Sequence, residues 1–241
     1  MPALHRTIVP RIRKSLEAHG ITGTVWRCLR APFYLWTEVR VNRRLFRAQP
    51  PDAYDLAHNI ETSQRVHQSD LSVDSDNWAH GAGYLPTSTA MVEEILASLP
   101  IRHEDFTFID LGSGKGRVLC VASDYPFQAI IGVEYAPLLH KVAVENIRHF
   151  RSETQKCHTI ESHCGDITQF SFPETPLVVF CFNPAREPVM QIVASNLLAS
   201  FNDSPREIWV VYVNPLYNVF DGAPLRTMRA NEQYAIYSSR P

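Results

Sequence analysis

No run of about 18 apolar residues occurs in the 241-residue chain, so a membrane-spanning helix is not expected. The first residues also lack the charged, apolar, small-residue order of a secretory signal. Cysteine is scarce and odd in number: Cys28, Cys120, Cys157, Cys164 and Cys181, with no C-x-x-C spacing. That count argues against a disulfide framework and for reduced thiols in a cytoplasmic protein. Cys157-His158 and His163-Cys164 carry zinc-ligand chemistry, but they flank Thr159–Ser162, which reads as a strand. Alternate strand side chains face opposite ways and the spacing fits no zinc pattern, so no metal is expected. Internal repeats and low-complexity tracts are lacking too. Glycine is sparse, 10 residues in all, yet three of them fall within five positions.

What is present suits one domain of ordinary size with an appendage, at 45% apolar residues. The net charge of −2 hides a division. Residues 1–50 hold ten basic and two acidic side chains, a net of +8, and residues 51–241 hold 13 basic and 23 acidic, a net of −10. Such an arm either meets an anionic surface or polyanion, or folds back on its own acidic domain. No named DNA-reading motif accompanies it, so sequence-specific DNA binding is not expected. Within the arm Val25, Leu29, Phe33 and Trp36 form an apolar stripe beside arginines. Two readings stand, a helix packed on the domain and an interfacial membrane helix, the second making the location peripheral at a membrane.

The centre of the chain is Phe106–Leu119, F-T-F-I-D-L-G-S-G-K-G-R-V-L. Phe106, Phe108 and Ile109 read as a buried strand, Gly112, Ser113, Gly114, Lys115 and Gly116 as a turn, and Val118, Leu119, Val121 and Ala122 as helix. Strand, glycine turn and helix start together form a ligand-binding corner. A P-loop fails because Lys115 precedes Gly116, and the dinucleotide fingerprint fails because Arg117 stands where its third glycine belongs. The pattern present is D-x-G-x-G-x-G, and Asp110 beside the glycines repels a pyrophosphate while attracting a cationic ligand. A second apolar strand, Ala129–Glu134, ends in a carboxylate 24 residues after Asp110, where ribose hydroxyls are held in doubly wound folds. Lys115 and Arg117 read as residues of the helix surface.

Residues 52–80 are polar with few periodic positions and read as a long loop, the kind that serves as a lid. Pro86, Thr87 and Ser88 start a helix carrying Met91, Val92, Ile95, Leu96 and Leu99 inward. A helix from Pro137, a short third strand at Thr159–Glu161, a turn at Gly165-Asp166-Ile167, a strand at Leu177–Phe182, a helix around Met190–Leu198 and a strand at Ile208–Val213 follow. Phe220 and Tyr234–Tyr237 complete a short terminal hairpin. The expected fold is α/β, a Rossmann-like doubly wound, mostly parallel sheet with an N-terminal helical extension. Its parts are a basic helical arm (1–50), a loop or lid (51–83) and the ligand-binding domain (84–241). Asp110, Glu134, Asp166, Asn183 and Asn214 all fall at the carboxyl ends of predicted strands, the edge where such sheets bind ligands.

The D-L-G-S-G-K-G-R-V run resembles motif I of class I S-adenosylmethionine (SAM) methyltransferases. With G-Y-L-P-T-S-T, G-V-E-Y-A-P-L-L-H and V-V-F-C-F-N-P, the stretch Tyr84–Pro215 is similar to a largely uncharacterised bacterial group of that class. The group is distantly similar to the non-SET protein-lysine methyltransferases. The resemblance implies SAM as cofactor, held by Tyr84, Pro86, Thr87, Asp110, Gly112, Ser113, Gly114, Gly116, Glu134, Tyr135, Asp166, Ile167 and Asn183. It implies that the segment around Tyr84 closes over the methionine end and that Asp166 holds the adenine amine. Asn183 and Tyr84 would face the acceptor, which is a protein lysine amine in the nearest reading. Asn183-Pro184 is similar to the [ND]-P-P-[YF] motif of amino-methylating DNA enzymes, but Ala185-Arg186 replaces the base-stacking aromatic. The alternatives are a SAM-binding interaction module without transfer, or transfer to a small molecule or nucleic acid. A nicotinamide oxidoreductase is a third class.

Overall fold

A computed structural model describes residues 50–71 and 81–240. The basic arm, its amphipathic stripe and Cys28 lie outside the described residues. Seven strands form one sheet: β1 (Thr107–Leu111), β2 (Ala129–Glu134), β3 (Ile160–Cys164), β4 (Leu177–Phe182), β5 (Ile208–Val213), β6 (Arg226–Ala230) and β7 (Tyr234–Ser238). Their order across the sheet is β3-β2-β1-β4-β5-β7-β6. The first five are parallel, and β7 and β6 join antiparallel at the far edge. The expected hairpin is there, but Phe220 is in the core before it rather than in a strand. Strand β6 is exposed at all five positions, so no apolar pattern marks it in the sequence. No helix among the described residues is long and apolar enough to cross a membrane.

The central strands are buried on both faces, which is why they read as continuous apolar runs. On one face Phe108, Ile130, Phe180 and Trp209 pack under α2 (Thr89–Ser98) and α3 (Arg117–Ala122). On the other, Ile109, Val133, Val179 and Tyr212 pack under α5 (Glu187–Asp203) through Val189, Met190, Val193 and Leu197. Each such large side chain contributes about 1.5–3 kcal/mol on burial. Helix α4 (Pro137–His149) lies between β2 and β3, with Leu139, Ala143 and Asn146 buried. Helix α2 begins where the hydroxyl residues predict, Ser88 accepting a long 3.4 Å bond from the Met91 amide.

The segment expected as a long loop contains structure. Asp52 caps α1 (Ala53–His58) by accepting from the Asp55 amide at 2.9 Å, and Asn59 ends it in a left-handed turn. Gln68–Asp70 form a 3-10 turn, and Val66 pairs with Tyr84 through both main-chain hydrogen bonds, at 3.1 and 2.8 Å. Residues that lack an apolar period are here ordered by polar groups.

Candidate functional site

The parallel strands end together. Register pairs Leu111 with Val133 and with Cys181, and Glu134 with Cys164, so the five carboxyl ends form one crest. Strands β4 and β5 are each followed by an asparagine in the left-handed region, Asn183 (φ 39°) and Asn214 (φ 50°), which turns the chain back along that crest. A cavity opens there, lined by Tyr84, Thr87, Asp110, Gly112, Ser113, Gly114, Glu134, Tyr135, Asp166, Ile167 and Asn183 among others. Of the expected cofactor residues only Pro86 and Gly116 stand outside its lining. A Cβ on Gly116 would meet Ala143 at 3.3 Å, so this glycine brings α3 against α4.

Two glycines serve close approach. Gly112 has φ +83°, and a Cβ there would lie 2.5 Å from Pro184. Gly114 has φ +56°, and its Cβ would lie 2.3 Å from the Tyr84 ring. Only glycine leaves room for both neighbours and adopts these dihedrals without strain.

Four of the turn's five amides are engaged inside the protein. Gly112 and Ser113 N–H donate to the Val133 carbonyl at 2.8 and 3.1 Å, and Gly116 N–H donates to the Ser113 carbonyl at 2.9 Å. Gly114 N–H donates to Glu134 Oε2 at 2.8 Å, while Glu134 Oε1 accepts from the Ala136 amide at 2.8 Å. A phosphate cradle needs such N–H groups turned toward the ligand. Here the Gly114 N–H holds a carboxylate instead and the other three are bonded to main-chain carbonyls, which leaves the remaining lone pairs of Glu134 for the cavity.

Electrostatics sharpen the contrast. Asp110 is buried, and among the described residues no hydrogen bond or ion pair reaches its carboxylate. Burial and then the nearby Glu134 carboxylate push its pKa well above the usual range. Burial also raises Glu134 to about 7, against the opposing pull of the Ala136, Gly114 and Tyr135 amides. Ser113 Oγ is buried and has no hydrogen-bond partner among the described residues. Two carboxylates and an unpaired hydroxyl in one cavity favour a ligand that brings hydroxyls and positive charge. Asp166 both lines this cavity and caps the 3-10 turn Ile167–Gln169, accepting from the Thr168 amide and hydroxyl at 2.9 and 2.8 Å. Elsewhere in the lining the Tyr212 hydroxyl donates to Asn183 Oδ1 at 3.0 Å, beside Phe182, Pro184 and Ala185.

Sequence reasoning missed the second layer. Lys115 and Arg117 do not lie on the helix surface; they are 4% and 6% exposed. Lys115 pairs with Glu61, and Arg117 pairs with Asp52 and Asp55. Arg117 also lines the cavity, as do Gly81, Ala82, Gly83, Leu85 and Ala185, none of them singled out beforehand as a site residue. The bridge between Gly81 and Ala185 that brings this rim together has no local sequence signal.

Sheet order and crest together are those of the expected Rossmann-like, mostly parallel α/β fold. No family model matches the chain, and no curated protein does. Among solved structures it is similar to an RNA methyltransferase from Salinibacter ruber in complex with S-adenosyl-L-homocysteine, at 23% identity and a TM-score of 0.44, covering 64% of this chain and 92% of that one. It is similar to a predicted N6-adenine-specific DNA methylase from Listeria monocytogenes at 15% identity and a TM-score of 0.47, covering 66% of this chain and 55% of that one. The ribosomal protein L11 methylase of Lactobacillus delbrueckii subsp. bulgaricus gives 12% identity and a TM-score of 0.42, covering 63% and 76%.

Proposed function

We propose that the chain is a SAM-dependent methyltransferase and that its acceptor is an amine, with a protein lysine as the best-fitting case. One observation carries the cofactor reading: two buried carboxylates face the cavity while four of the five glycine-turn amides, those of Gly112, Ser113, Gly114 and Gly116, are spent within the protein. Glu134 is held to accept the two ribose hydroxyls, Asp110 to compensate the ligand's ammonium, and Asp166 to receive the adenine amine. Tyr84 and Thr87 close the methionine end. SAM itself supplies an activated methyl on a sulfonium.

The chain's own task is to align an acceptor at about 3 Å in a water-poor pocket, because sulfonium transfer is an in-line displacement. Asn183 suits this: its amide oxygen, fixed by Tyr212, retains a lone pair for an acceptor N–H. Phe182, Pro184 and Ala185 desolvate the amine and so favour its neutral, nucleophilic form. The net −10 of residues 51–241 attracts a cationic acceptor and repels a polyanion. The +8 of residues 1–50 suits either an anionic surface or this acidic domain itself.

Incubation with methyl-labelled SAM and a cell extract tests this reading. Labelled polypeptides, with label recovered as methyl-lysine, are the expected result. Label confined to nucleic acid or small molecules removes the lysine acceptor, and tight binding without transfer leaves only a SAM-binding module.

A further inference from the structure

Two cations leave the glycine turn, and both are spent on residues 52–63, a segment outside the sheet. Arg117 Nε donates to Thr62 Oγ1 at 2.7 Å, and its Nη2 reaches the carboxylates of Asp52 and Asp55. Asp55 in turn accepts from the Thr62 and Ser63 amides at 2.7 and 2.6 Å and from the Thr62 hydroxyl. The Thr62 carbonyl accepts from the Tyr84 hydroxyl at 2.6 Å. The Tyr84 ring closes the circuit over Gly114, with the Lys115 ammonium 5.5 Å from its centroid. Lys115 itself is held by Glu61, and Asn146 fastens both, donating to the carbonyls of Glu61 and Lys115 at 3.0 and 2.8 Å.

We infer that Arg117, Lys115 and the strap 52–63 are positioning residues for the cofactor site, acting through Thr62 to set the Tyr84 ring over the glycine turn. The inference rests on the methyltransferase reading above. Three members of the circuit, Tyr84, Gly114 and Arg117, line the cavity, so the circuit begins and ends at the ligand site. A buried guanidinium with two carboxylates seldom adds net stability over an apolar replacement. What it does bring is a fixed fork geometry, which here spans 55 to 65 positions of chain.

A double-mutant cycle on S-adenosylhomocysteine affinity, read by calorimetry, tests it. Tyr84→Phe removes only the hydroxyl bound to Thr62, and Arg117→Met removes the fork. Each is expected to weaken binding about five- to tenfold, and the double variant no more than the weaker-binding single one. Where Arg117→Met fails to fold, Thr62→Val takes its place in the cycle, since it deletes the hydroxyl that Arg117 grips while keeping the carbonyl. Multiplicative losses, or single variants that bind as the parent does, overturn the positioning role alone. A parent protein that binds neither SAM nor its product overturns the cofactor reading and this inference with it.

Discussion

Replacing Gly114 by alanine probes the cavity where it is tightest. The residue sits at φ +56°, where an L-residue loses about 1–2 kcal/mol. The new Cβ would also stand 2.3 and 2.4 Å from two atoms of the Tyr84 ring. That ring cannot swing aside freely, because its hydroxyl is bonded to Thr62 and its backbone is paired with Val66. Overpacking of this kind adds about 1–3 kcal/mol. A total near 3 kcal/mol is expected, equivalent to a fall in Tm of roughly 6–12 °C for a domain of this size. Gly165 supplies the control on the same crest: it has no positive φ, and a Cβ there meets nothing within 4 Å. Gly165→Ala should leave Tm within about 2 °C. The two variants and the parent are compared by thermal melting and by product affinity. Equal behaviour of the two variants would refute the placement of Tyr84 over the turn.

Four further outcomes follow from the site. In the role proposed for it Glu134, raised to about 7 by burial, must be ionised to accept ribose hydroxyls, so affinity for S-adenosylhomocysteine should fall up to about tenfold per pH unit below 7. Calorimetry in buffers of different ionisation enthalpy should then show proton release near pH 6.5, and a flat profile contradicts the assignment. The same shift has the opposite sign for the ligand-free protein: the folded state holds a proton that the unfolded state has lost between about 4.5 and about 7, so stability declines as pH rises across that window. Asp110→Asn removes a buried carboxyl whose ionisation is opposed by burial and by Glu134, so ligand-free Tm should hold or rise while SAM affinity drops about tenfold or more; a large loss of Tm with unchanged affinity would count against a cation site. Tyr212→Phe frees Asn183 Oδ1 and should lower kcat about tenfold with product affinity within about twofold, a split read by steady-state kinetics.

Much of the framework could be read from residues because its signals are local. Phe106–Leu119 announces strand, turn and helix within 14 positions, and the buried parallel strands announce themselves as apolar runs. The crest of Asp110, Glu134, Asp166, Asn183 and Asn214 followed from those strand ends. The strap did not. Thr62 and Arg117 stand 55 positions apart, and nothing near Arg117 distinguishes a buried first-turn arginine from a solvated one. The helix capped by Asp52 was missed because six residues leave no room for an apolar stripe. The third strand extends beyond the expected Thr159–Glu161 to Ile160–Cys164, since its exposed alternation of Glu161, His163 and Cys164 lacks an apolar face to mark it. In it His163 pairs with Glu161 at 3.0 Å, two positions along the strand.

The most direct measurement is a calorimetric titration of the whole protein with S-adenosylhomocysteine, SAM and NAD in parallel. A single site for the first two, with no heat from the dinucleotide, is what buried carboxylates beside an internally bonded glycine turn require. Saturable heat from NAD alone would contradict the account at its root.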